Sequence, residues 1–196
     1  MENIEELKLI KGEVRAVTLQ TDKTYIFEQK GENGITLVEE KIKKMGLPFE
    51  YNNIKSLSEF YPLSLRVASL LATKKVFGWD DSQIKEMGRI APKNSVFTKL
   101  VLRYLVSLKK MAKEIPRHWS RHYTIGSIDP GELHEDEKHL IVRLRDFNVH
   151  PIMCIYLSGY FVGTVELLGD FTNLTVEEVK CMHRGDGYHK FIIRWV

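Results

Sequence analysis

The chain has 196 residues, 43% of them hydrophobic, which suffices for one substantial core and leaves too little for two full-sized domains. Its 29 basic and 26 acidic residues are intermixed, so a net charge of +3 announces no nucleic-acid or anionic-membrane partner. Two cysteines, Cys154 and Cys181, do not make a disulfide framework, and the acidic start has no apolar segment of a secretory signal behind it; both fit a reducing cytoplasm.

Residues 7 to 21 suit either a strand, with Val14, Ala16 and Thr18 on one face, or a first helix. Asn33-Gly34 then precedes Ile35, Val38, Ile42 and Met45 at helical spacing, until Gly46 and Pro48 stop that helix. Ser56 or Ser58 caps the next one, Pro62 fits its first turn, and Leu63, Val67, Leu70 and Leu71 make its buried stripe. Asp80 starts a short helix that runs to Ile90, ahead of Pro92. Asn94 caps the longest helix, whose apolar face carries Leu100, Tyr104, Leu108 and Met111, and Pro116 ends it.

After Pro116 the period changes. Trp119, Arg121, Tyr123 and Ile125 alternate, Asp129-Pro130-Gly131 turns the chain, and Leu140, Val142 and Leu144 alternate again, which predicts two antiparallel strands. On such a strand His118 and His122 share the face opposite Trp119 and Tyr123. His134 and His139, beside Glu135, Asp136 and Glu137, read as surface. A helix from about His150 to Leu168 follows, and its polar interruptions make it a buried helix rather than a membrane span. Gly159 and Gly163 on it are four apart and admit a close backbone. That suits packing on the sheet, a helix pair across a dimer, or a groove where a flat ligand lies against Tyr156 and Tyr160.

The chain closes on a hairpin around Gly185-Asp186-Gly187. A three-residue loop sets His183 opposite His189 and Cys181 opposite Phe191, so that Val179, Cys181, His183, His189, Phe191, Ile193 and Trp195 face the core. A two-residue loop turns His189 to the other face. In the first register Cys181, His183 and His189 are donors of the kind a zinc-like ion takes, with His150 or Cys154 as a fourth. The alternative is a buried, inert thiol with histidines bonded to backbone. The fold class is α+β: N-terminal helices over residues 1–115 packed on a four-stranded antiparallel sheet with a crossover helix over 117–196, in one domain.

Cys181-x-x-x-Gly185-Asp186-x-x-His189-x-Phe191 is similar to the end of the 4-vinyl reductase domain, with His189 standing at the second cysteine of that pattern. Lys11-Gly12 with Tyr25, Gly31, Val38 and Gly46, followed by Phe60-Tyr61-Pro62, resembles the first helices of haem nitric-oxide-binding domains. The superfamily also contains subunits of the TRAPP vesicle-tethering complex. The resemblance implies a sensor or scaffold domain, often dimeric, with an apolar cavity between helices and sheet. The expected function is a non-catalytic small-molecule sensor or regulatory module that acts as a homodimer and takes a small apolar or aromatic ligand. Trp119, Tyr123, Tyr156 and Tyr160 are its candidate lining. The alternatives are a ligand-free interaction scaffold and a metal-assisted or tetrapyrrole-related enzyme. No Tyr-x-Ser-x-Arg run is present, and no histidine lies between Ser95 and Ile115, which argues against haem.

Overall fold

The computed structural model describes residues 4–95 and 107–196. A short helix α1 (Ile4–Lys8) leads into strand β1 (Glu13–Arg15) and then helix α2 (Ala16–Lys44), so residues 7 to 21 hold both a strand and a helix start. α2 is broken at Gly31, where φ of 66° and ψ of −169° suit a residue without a Cβ. The helix foreseen after Asn33-Gly34 is the second limb of this longer element. β1 pairs antiparallel with β2 (Phe60–Pro62), Val14 against Tyr61, and β2 delivers the chain into α3 (Leu63–Phe77).

Helix α4 (Asp81–Asn94) opens on a capping box. The Asp80 carboxylate accepts from the backbone N–H groups of Ser82 and Gln83, while the Gln83 side chain accepts from the Asp80 N–H. It runs past Pro92, which falls in the last turn and leaves the Gly88 carbonyl without its helical N–H donor. Most of the long helix expected from Asn94 falls on 96–106, outside the described residues. Its described continuation is α5 (Leu108–Ser120), which Ser107 caps and which does not stop at Pro116. The Ala112 carbonyl that a proline at 116 leaves without its helical donor accepts instead from the Gly131 N–H at 2.8 Å. The expected strand through Trp119 is therefore the last turn of α5 and the bend after it.

The main sheet has five strands rather than four: β3 (Ser127–Ile128), β4 (Glu132–His134), β5 (His139–Arg145), β6 (Thr175–Lys180) and β7 (His189–Arg194). They are ordered β3-β5-β7-β6, with β4 also on β5, and every pairing is antiparallel. Helix α6 (Pro151–Glu166) makes the crossover from β5 to β6, its first turn capped by the His150 ring. Leu140, Val142 and Leu144 of β5 and Phe191 and Ile193 of β7 are buried on one face, as period-2 alternation requires.

The C-terminal register differs from the expected one. Glu178 faces Phe191, Lys180 faces Lys190, a bulge lies between Glu178 and Lys180, and a 3-10 turn (Met182–Arg184) closes at Gly185 with φ of 90°. The bulge shifts the alternation, so Val179 is exposed and His183 no longer stands opposite His189.

α6 packs on α4, not on the sheet, at its two glycines. A Cβ at Gly159 would lie 1.8 Å from the Lys85 carbonyl oxygen and one at Gly163 1.9 Å from that of Arg89. One at Gly88 would lie 2.0 Å from that of Tyr156. Arg89 and Lys93 on α4 both reach Glu166 on α6 at 2.8 Å.

Candidate functional site

The helices α2, α3, α4, α5 and α6 enclose a cavity of about 50 Å³. Its lining includes Thr21, Arg66, His118, Trp119, His122, Tyr123, Tyr156 and Tyr160. All four aromatic residues named from the sequence are thus brought together. The route differs from the expected strand face: Trp119 in the last turn of α5 stacks on Tyr123, centroids 4.1 Å apart, and α6 supplies Tyr156 and Tyr160 one turn apart. Trp119 donates its indole N–H to the carbonyls of Ile125 and Gly126 at 3.2 Å.

Arg66 in the cavity lining is held by a carboxylate buried behind it. Arg66 of α3 donates to Asp22 of α2 at 3.1 Å and to the Tyr123 hydroxyl, and Tyr156 donates to Asp22 at 2.8 Å. Burial pushes the Asp22 carboxyl up, and the Arg66 guanidinium opposes that shift. The sequence reading missed this pair. Its signal was a carboxylate at 22 and a guanidinium at 66 inside apolar stripes, Leu19-Asp22-Ile26 and Leu63-Arg66-Leu70.

His118 and His122 line the same cavity on the helical turn that replaces the expected strand, with ring centroids 4.6 Å apart. The His118 ring bonds to the Tyr160 hydroxyl at 3.0 Å, and His122 Nδ1 donates to the His118 carbonyl at 2.9 Å. Burial is the first cause that pushes His118 down to about 3, with His122 and Arg121 adding to it, and it lowers His122 as well. Two uncharged imidazoles therefore face the cavity at neutral pH.

A second cluster lies at the sheet end. Donor atoms of Cys154 on α6, Glu178 on β6, Cys181 just after it and His189 at the start of β7 all lie within 4.8 Å of one another. Of the trio expected from the sequence, Cys181 and His189 meet and His183 does not. Its ring is 5.7 Å from that of His189, and its buried Nε2 has no hydrogen-bond partner among the described residues. Cys154, one of two expected fourth donors, joins them, whereas His150 caps α6. Glu178 was missed, because only the bulge turns its carboxylate toward the cysteines. Burial pushes the Cys154 thiol up, and the Glu178 carboxylate adds to the shift.

No family model matches the chain, and no curated protein matches it. Solved structures do. The fold is similar to an H-NOX protein from S. oneidensis in the Fe(II)NO ligation state, with 13% identity over 93% of this chain and 99% of that one and a TM-score of 0.70. It is also similar to a mutant of an H-NOX protein from K. algicida in the unliganded Fe(II) state, with 13% identity over 93% and 96% and a TM-score of 0.64. An oxygen-binding H-NOX domain related to soluble guanylate cyclases, in its oxygen complex, gives 15% identity over 92% and 94% and a TM-score of 0.60. These likenesses bear out the haem nitric-oxide-binding part of the resemblance as a fold. They also correct the argument against haem: the structures this chain superimposes on are haem domains, so lacking one helix histidine and a propionate motif does not set haem aside. Among the described residues, no helix is long and apolar enough to cross a membrane.

The cavity residues meet half of what haem requires. Neutral imidazoles at His118 and His122 are suitable iron donors. The free space, about 50 Å³, is near a third of the ~150 Å³ apolar cavity that accepts benzene, so a macrocycle enters only if Trp119, Tyr123 or Tyr160 swings out.

Proposed function

We propose that this chain is a non-catalytic small-molecule sensor module whose ligand occupies the cavity between the helices, against Trp119, Tyr123, Tyr156 and Tyr160. One observation carries the reading: a cavity walled by stacked aromatics is also lined by Arg66, held by the buried Asp22 behind it, and by two uncharged histidines. A fold that only needed filling gains nothing from holding Asp22 and Arg66 there, since an apolar pair of the same volume costs less to bury. Similarity in fold to domains solved with nitric oxide or oxygen supports a sensor role.

The aromatic walls select a flat, largely apolar ligand, and Arg66, the tyrosine hydroxyls and the histidines orient it by hydrogen bonds. Haem is one candidate. When bound it would supply an iron that takes a diatomic gas, and His118 or His122 would hold it. In this reading the module works as a homodimer.

Titration of the full chain with hemin and with a flat aromatic dye tests the reading. Saturable one-to-one binding is expected, and Ala91→Leu, which fills the cavity from α4, should abolish it. Binding that Ala91→Leu leaves intact would place the ligand elsewhere.

A further inference from the structure

We propose that Cys154, Glu178, Cys181 and His189 form a site for a zinc-class divalent cation, and that its occupancy is linked to the cavity wall through Phe147. The cation site stands on its own geometry. The linkage rests on the cavity reading given above.

Spacing is the first support. Tetrahedral zinc with sulfur at about 2.3 Å and nitrogen or oxygen at about 2.0 Å sets neighbouring donors roughly 3.3 to 3.8 Å apart. Here Cys154 Sγ lies 3.9 Å from Cys181 Sγ and 3.6 Å from His189 Nδ1, and His189 Nδ1 lies 2.9 Å from Glu178 Oε1. Of these three distances the last must open by about 0.4 Å, and the other donor pairs lie within 4.8 Å of one another. The donor set decides the ion class: two sulfurs and an imidazole suit zinc and its neighbours, while calcium and magnesium require oxygen ligands.

Orientation is the second support. His189 donates its Nε2–H to the Phe147 carbonyl at 3.2 Å, which fixes the ring with Nδ1 toward the cluster, as an outer hydrogen bond does for metal-bound histidines. The turn after β6 is closed around Cys181, whose N–H donates to the Asp186 carboxylate at 2.8 Å. In the cluster the Glu178 carboxylate lies against His189 Nδ1, and it makes no ion pair with a lysine or arginine among the described residues.

Phe147 joins the two sites. Its carbonyl holds His189, and its ring stands edge-on to Trp119 at 5.0 Å and to Tyr123 at 5.5 Å, the stacked pair of the cavity wall. A shift of His189 onto an ion moves the peptide that sets this ring.

The test is a titration of the chelator-treated full chain with zinc alone against a colorimetric competitor. One zinc per chain is expected. Cys154→Ser and the near-isosteric Glu178→Gln should each weaken binding by tenfold or more, and His183→Ala, beside the cluster, should leave it unchanged. The Glu178 variant keeps the comparison valid if the cysteine variant fails to fold. No saturable zinc, or loss with His183→Ala and not with Glu178→Gln, overturns the site.

For the linkage, the three tryptophans give three indole N–H resonances, and Trp119→Phe assigns one of them. Zinc should move the Trp119 resonance and leave that of Trp79 in place. A stationary Trp119 signal with one zinc bound overturns the linkage. Failure of hemin or dye to enter the cavity would leave the zinc stoichiometry untouched, so the two readings fail separately.

Discussion

Asp22 on α2 and Arg66 on α3 form an ion pair at 3.1 Å whose side chains are 0% and 3% exposed, with Tyr123 and Tyr156 completing the hydrogen bonds. Removing one member strands the other charge in the core. Asp22→Asn or Arg66→Met should therefore cost about 3–5 kcal/mol, read from denaturant midpoints. The double variant Asp22→Leu with Arg66→Met should recover most of that loss. A double variant as unstable as either single one would show that the pair contributes net stability.

Gly159→Ala should destabilise by more than the ~1–3 kcal/mol of ordinary overpacking, because the new methyl group would meet a backbone carbonyl and not a side chain that can rotate. Gly185→Ala has open space around it and pays only for its positive φ. Thermal midpoints of the two variants check the order, and equal losses would mean that the α4–α6 contact is looser than described.

Stability should fall with acid through His118. Its folded value, about 3, lies below the ordinary 6.5, so the unfolded chain takes up a proton between those limits and the folded chain does not. Its contribution is complete above about pH 6.5 and declines toward pH 3, at no more than about 1.4 kcal/mol per pH unit. His122 shifts the same way, with Arg121 and Tyr160 the other polar groups at the ring. His118→Gln should flatten the slope, and an unchanged slope counts against this origin.

Light scattering coupled to size exclusion should give twice the 22.8 kDa chain mass at micromolar concentration. Phe27 and Leu37 on α2 and Phe60 on β2 are large exposed apolar side chains available to such an interface. A single-chain mass across that range would remove the dimer from the reading.

Periodicity carried the helices well where one face is apolar: the stripes of α3 and of the second limb of α2, the cap at Asp80, and the β5 alternation all stand as read. It failed at Pro116, because the partner that rescues the Ala112 carbonyl is Gly131, a contact no local pattern announces. It failed again at the C-terminal hairpin, where one bulge changes which residues share a face. The aromatic lining was legible from residue type, whereas the donor cluster depended on that bulge and on α6 delivering Cys154 from another layer.

Backbone contact at Gly88, Gly159 and Gly163 leaves no side-chain cushion between α4 and α6, so the two helices form a single stiff plank. Tyr156, Tyr160 and Cys154 are all mounted on it. Backbone breathing that admits a ligand must then come from the opposite jaw, where Trp119 closes α5 and Tyr123 follows it, while on the plank only a side chain such as Tyr160 can swing.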